Sequence, residues 1–315
     1  MSAALLWSLI QTALELGLIG SLVVLALFLS YSMLNVCDLS TDGCFTLGAA
    51  VGAVVALSGH PYLSIFAAMG AGILSGFITA LLQTRMGVNS LLAGIIVNTG
   101  LYSVNIAVMG NSSLLNMNKT RTIFTDVRGL LKDSFLKEQE TLLISLAAAA
   151  IVILFLTLFL RTRLGLAIRA TGNNPDMVRS SSINPAFTTT VGLCISGSFT
   201  ALSGCLLAQS QKSVNVSIGN GRVTIALASL LIGGVLFSKG NIPLKALGAV
   251  IGSCIFRLVY AVALRLKMPA FMLNLISAVI VAAALSIPYL KSQLPLLKRR
   301  TALRRARRKK EDSLC

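Results

Sequence analysis

The chain has 315 residues, 55% of them hydrophobic and only 12% charged, with a mean hydropathy of +0.84. A soluble domain of this length needs far more charge, and the apolar runs are continuous rather than alternating, which argues against a β-barrel. The net charge of +17 is unevenly placed: no Lys or Arg precedes Arg85, and nine of the 27 fall between Lys298 and Lys310. That cluster has no aromatic residues, so it reads as a cytoplasmic segment beside anionic membrane lipid and not as a nucleic-acid site.

Nine apolar segments are predicted, at about 9–34, 43–59, 62–83, 90–109, 141–160, 188–208, 222–238, 244–264 and 270–290. Runs of this length match a hydrocarbon core, so the predicted fold is an all-α polytopic membrane protein. One or more segments are expected to be discontinuous. The predicted division is a transmembrane domain over 1–296 and a basic cytoplasmic tail over 297–315. The first segment lacks a basic n-region and a small-residue cleavage site, so it is expected to be a retained helix.

A polar stretch, Val36 to Phe45, follows the first segment. Ser40 or Thr41 can cap the next helix, with Asp42 at its positive end. The other reading is a broken helix open to a solute near mid-membrane, where ionisable groups are expensive and usually belong to a pathway. Asp38, Ser40, Thr41 and Asp42 are therefore pathway candidates. Gly48 and Gly52, then Gly72 and Gly76, have the spacing that lets helix backbones approach closely. In the fourth segment Asn98, Tyr102 and Asn105 fall on one helical face. Such a stripe either bonds a neighbouring helix or lines a cavity, and these three complete the pathway candidates.

Loop 110–140 is expected outside, with a short amphipathic helix near Leu130–Leu136. Loop 161–187 carries four arginines and one aspartate and is expected inside. Within it Asn174 can cap, Pro175 fits the first helical position, Asp176 complements the dipole, and Asn184-Pro185 ends the turn. This is either a short docking helix or an ordinary hairpin loop. Beyond it, loop 209–221 is expected outside and the turn Ser238–Asn241 inside. Arg265 and Lys267 mark an outer hairpin tip. Arg257, well inside the eighth segment, needs an acidic partner or a route to the surface.

The six cysteines show no metal spacing, and most sit in apolar runs where Cys behaves as a small hydrophobe. His60 lies in a Gly-His-Pro turn and reads as a loop residue. No GxxxxGK[ST] loop and no catalytic constellation is present, so the chain is not expected to be an enzyme.

Gly165-Leu166-Ala167-Ile168-Arg169-Ala170-Thr171-Gly172-Asn173-Asn174, followed by Ile183-Asn184, resembles the cytoplasmic loop of ABC-importer permeases of the branched-chain amino acid and ribose type. Leu231-Ile232-Gly233-Gly234, Ser238-Lys239-Gly240-Asn241 and Gly248 to Gly252 resemble the same family's later Gly-rich spans. Asp38 to Ala49 and Leu91-Leu92-Ala93-Gly94-Ile95 resemble a branch containing tryptophan/tyrosine transport permeases. The resemblance covers about Gly17–Tyr289.

It implies a permease subunit of an ATP-driven importer for a small polar solute, an amino acid, in the bacterial plasma (inner) membrane. It implies a second permease copy as homodimer partner, a cytoplasmic ABC ATPase dimer, and an extracytoplasmic substrate-binding protein. ATP would be bound by the partner, and no cofactor by this chain. Gly172, Asn173, Asn174, Pro175, Asp176, Met177 and Arg179 would form the ATPase-coupling element. Two rivals remain at this level. One is an ion-coupled carrier using Glu15, Asp38 or Asp42. The other is a membrane assembly protein without transport.

Overall fold

The computed structural model describes residues 3–265, apart from 119, 131–138 and 238–240, together with Ala278, Val279, Ala282 and Ser286. In chain order the elements are α1 (Ala3–Leu27), widening into a π-helical stretch (Phe28–Met33), α2 (Thr41–Leu57), α3 (Pro61–Thr84), α4 (Ser90–Val108), β1 (Leu114–Asn116), α5 (Ile123–Leu130), α6 (Glu140–Phe159), α7 (Arg163–Asn173), α8 (Pro175–Ser180), α9 (Pro185–Gln211), β2 (Ser213–Asn215), α10 (Arg222–Leu236) and α11 (Ile242–Arg265).

The first eight predicted apolar segments correspond to α1, α2, α3, α4, α6, α9, α10 and α11. Six of these are long and apolar enough to cross a membrane. The other two, α2 with 17 residues and α10 with 15, fall short of the roughly 20 that a span needs. Of the ninth segment only Ala278, Val279, Ala282 and Ser286 are described, and the basic tail, Lys267 and the turn at 238–240 lie outside the described residues. So does most of the helix expected near Leu130–Leu136; the helix described there, α5, ends at Leu130.

α9 is the central post, with α1, α2 and α3 packed around it. Small residues set those distances. A Cβ on Gly48 would overlap the Ala201 carbonyl, one on Gly72 the Gly197 carbonyl, and one on Gly76 the Leu193 carbonyl. In lipid, where apolar area gives helices no reason to associate, such close approach supplies the van der Waals contact that holds them. Hydroxyls add bonds between helices. Ser203 Oγ donates to Ile19 O at 2.6 Å, Ser196 Oγ to Ala26 O at 3.0 Å, and Ser253 Oγ to Gly17 O at 2.8 Å.

The two loops expected on the same side meet. β1 and β2 pair antiparallel, with Leu115 opposite Val214. Gln209 Oε1 accepts the Ile123 N–H at 3.1 Å and fastens α5 to the same end. At the opposite end α7 closes on the end of the π-helical stretch, where a Cβ on Gly172 would overlap the Met33 carbonyl.

Candidate functional site

Two short helices begin head to head inside the bundle. Cys44, in the first turn of α2, donates from Sγ to Gly197 O at 3.4 Å, and Gly197 lies near the middle of α9. α2 therefore starts at depth and runs to the β1–β2 end. The chain re-enters from β2 to meet it, and a Cβ on Gly219 would overlap the Asp42 carbonyl. Asp42 Oδ2 accepts the Gly221 N–H at 2.9 Å and Oδ1 accepts the Val223 N–H at 2.8 Å. These are among the amides left free where α10 begins, and the carboxylate also meets the positive end of that helix. Gly221 sits at φ +77°, the left-handed conformation that turns the chain into α10.

Asp42 stands in the first turn of α2, as expected, but its carboxylate serves another helix. Neither Ser40 nor Thr41 caps α2 through its side chain. Asp38 Oδ1 accepts the Ser40 N–H at 2.9 Å and the Ser40 hydroxyl at 2.6 Å. That hydroxyl is thereby taken, and it also accepts Thr79 Oγ1 from α3 at 3.2 Å. Thr41 Oγ1 donates back to Asp38 O at 2.9 Å. Asp38, Ser40 and Thr41 are all buried. Their bonds close a tight polar turn, with the Asp38 carboxylate directed at that turn.

The three polar residues of α4 do not act as one group. Asn105 is buried and its Nδ2 donates to Gly43 O at 3.2 Å, while its Oδ1 has no partner. Asn98 also faces α2, since a Cβ on Gly43 would come within 2.7 Å of its Oδ1. Tyr102 is 54% exposed and points away from the bundle. Asn98 and Asn105 thus join the head-to-head junction, and Tyr102 does not.

At the α7–α8 end the short helix expected around Pro175 is present as α8. Asn174 Oδ1 accepts the N–H groups of Asp176 and Met177, each at 3.1 Å, and Pro175 takes the first position. Asn184 Oδ1 accepts the Ala186 N–H at 3.0 Å, so Asn184-Pro185 opens α9 as well as closing the loop. Val178 is buried under α8, whereas Met177 is 65% exposed. Asn173, Asp176 and Arg179 are exposed, the last two in a loose pair at 4.0 Å. Gly172 differs from them: it packs α7 against the end of the π-helical stretch at Met33 and Leu34.

α7 was not expected as a helix. Its signals are present in the sequence: Thr162 caps it, accepting the Gly165 N–H at 3.2 Å, and Gly165, Ala167, Ile168 and Thr171 form its buried face. Thr171 and Thr188 hydroxyls meet at 2.8 Å and tie α7 to α9. A cavity of about 700 Å³, lined by Tyr31, Asn35, Arg169 and Asn173, lies beside it. Also missed was Arg222. Its guanidinium lies 4.7 Å from the Phe45 ring centroid and its Nε donates to Ile218 O at 3.1 Å.

Residues 9–285 match a family described as branched-chain amino acid transport system/permease component. A tyrosine transport system permease protein of Clostridioides difficile (strain R20291) is 32% identical over 271 residues, covering 86% of this chain and 88% of the relative. An uncharacterized protein of Rickettsia prowazekii (strain Madrid E) is 31% identical over 255 residues, covering 80% and 86% respectively. No solved structure matches the chain.

Proposed function

The chain belongs to the branched-chain amino acid transport system/permease component family, and on that premise we propose that it is the permease subunit of an ATP-driven amino acid importer. It is a multi-pass membrane protein, and its place in this reading is the plasma (inner) membrane of a bacterium. The solute is an amino acid, aromatic or branched-chain, in line with the tyrosine system named for the Clostridioides relative. Two copies form the pathway. An ATPase pair docks on the α8 end, and a substrate-binding protein docks on the β1–β2 end.

One observation carries the reading. α8 is capped at Asn174 and anchored through buried Val178, yet it offers Met177 uncovered. An apolar side chain on a rigid, polar-rimmed helix suits the groove of a partner protein. Energy coupling through such a contact also fits a chain without a phosphate-binding loop. The ion-coupled alternative loses support, because Asp38 and Asp42 already serve the polar turn and the start of α10.

The test is copurification of the full chain with an ABC ATPase, combined with uptake that depends on a binding protein. An importer subunit retains the ATPase and requires both partners. Uptake by the permease alone in proteoliposomes would replace this reading with a secondary carrier.

A further inference from the structure

Arg222 and Arg257 bring two positive charges into the bundle, and the chain has too few acids to balance them. α10 and α11 pack antiparallel through small residues. A Cβ on Gly252 would overlap the Ser229 carbonyl, and one on Gly233 the Gly248 carbonyl. That register, carried two turns further, sets Arg222 at the start of α10 beside the turn of α11 that bears Arg257 and Tyr260. Arg257 and Asp42 both act electrostatically on Arg222. The Arg257 guanidinium lies 5.9 Å from the Tyr260 ring centroid. Among the described residues neither arginine forms an ion pair.

The sequence has no Asp or Glu between Asp176 and Glu311. α9, α10, α11 and everything up to Lys310 therefore lack a carboxylate. Among the described residues the acids that are buried or half-buried are Glu15, Asp38, Asp42, Asp126 and Glu140. Asp126 lies on α5, outside the candidate membrane spans, and Glu140 is already paired with Arg128. Glu15 accepts from Gln11 Nε2 at 3.1 Å, and Asp38 is held by Ser40. Asp42 leaves one negative charge against two guanidiniums. A second copy of the chain brings the same surplus, so dimerisation does not neutralise it. An unbalanced guanidinium in a membrane domain is costly and usually marks a pathway for charge.

We propose that Arg222 and Arg257 form an anion-recognition site that takes the carboxylate of the transported amino acid at the α2–α10 junction. This rests on the amino acid reading given above. Phe45 and Tyr260 steady the guanidiniums by cation–π contact, which leaves N–H edges for the planar, two-point grip that arginine offers a carboxylate.

The test uses the full chain in phosphatidylcholine nanodiscs with its native cysteines replaced. Ala261→Cys, one turn from Arg257 on the same face of α11, leaves Tyr260 in place and is labelled with an anionic and a cationic methanethiosulfonate of similar size. The anionic reagent is expected to react about tenfold faster, as local charge focusing allows. Arg257→Gln should abolish that preference and Arg257→Lys should keep it. Absence of the preference overturns the site. Its loss when phosphatidylglycerol is added also does so, and assigns the arginines to lipid headgroups.

Uptake of radiolabelled tyrosine, tryptophan, phenylalanine and leucine by cells expressing the complete system supplies the second readout. Arg257→Gln at normal membrane abundance should lose about tenfold in rate, with most of it restored by Arg257→Lys. Wild-type uptake that Arg257→Gln leaves unchanged overturns the inference alone. A wild type that imports none of the four, yet keeps the reagent preference, overturns the amino acid reading and leaves the arginines as a site for an anion of another class.

Discussion

The Asp42 carboxylate accepts the Val223 N–H at 2.8 Å across 181 residues of sequence and joins the starts of α2 and α10. Each helix is too short to cross alone, and each has free amides at an end that lies inside the bundle. At membrane depth the backbone tolerates such a break only where it is buried in protein or lines a water-filled cavity, and here carboxylates of the chain take up the amides. Asp38 does this before α2, and Asp42 does it for α10.

Asp42→Ala should therefore destabilise the protein by about 2–4 kcal/mol, because it removes two charge-assisted bonds and strands two amides. Asp42→Asn keeps one acceptor oxygen and should cost roughly half as much. Thermal unfolding of detergent-purified variants measures both. Equal midpoints for wild type and Asp42→Ala would mean that α10 does not depend on this carboxylate.

Two glycines one turn-fraction apart in α3 should respond oppositely to alanine. A Cβ on Gly72 would strike the Gly197 carbonyl and the Ala201 side chain, whereas Gly70 has nothing within 4 Å. Gly72→Ala should separate α3 from α9 at a cost of about 1–3 kcal/mol, as overpacking usually does. Gly70→Ala should be neutral or stabilising by up to about 1 kcal/mol, the helix-propensity gain. Monodispersity and midpoint temperature distinguish them; equal effects would sink the close-packing account.

The polar stripe of α4 makes a related prediction. Asn105→Leu removes the bond to Gly43 O and should cost about 0.6–2 kcal/mol, the range for polar bonds between membrane helices. Tyr102→Phe should leave stability unchanged, because Tyr102 faces away from the bundle. If Asn105→Leu folds as well as wild type but uptake falls, the residue acts on the solute and not on α2.

Period and composition made the helices legible, because an apolar run of membrane length has few other solutions. Turn chemistry made α8 legible, since Asn174, Pro175 and Asp176 each use local geometry. Sequence could not tell which amides Asp42 serves: the residue sits correctly for capping α2, and its true partners lie far along the chain. The stripe Asn98, Tyr102, Asn105 failed as one group for a related reason. Spacing defines a helical face only to within about a third of a turn, and α2 covers Asn98 and Asn105 but not Tyr102. α7 was hidden because its amphipathic face is narrow and its flanking arginines resemble a plain cytoplasmic loop.

The last prediction concerns coupling, and α8 separates two neighbours cleanly. Val178 is 3% exposed and holds the helix to the bundle, while Met177, one residue earlier, is 65% exposed. Met177→Asp keeps the Asn174 cap, whose bonds go to backbone amides, so α8 should persist. At a partner's groove the new carboxylate would have to lose its water, a cost of at least about 2 kcal/mol, or roughly thirtyfold in ATPase affinity. Arg179→Ala removes only a rim charge loosely paired with Asp176, so it should change the salt dependence of docking more than its strength. Val178→Asp is the contrast, since it should release α8 from α9 and lower stability as well as docking. ATPase retained per purified permease, followed by transport in proteoliposomes, reads all three. Wild-type retention and uptake by Met177→Asp would show that α8 is a surface turn and that the ATPase grips the permease elsewhere.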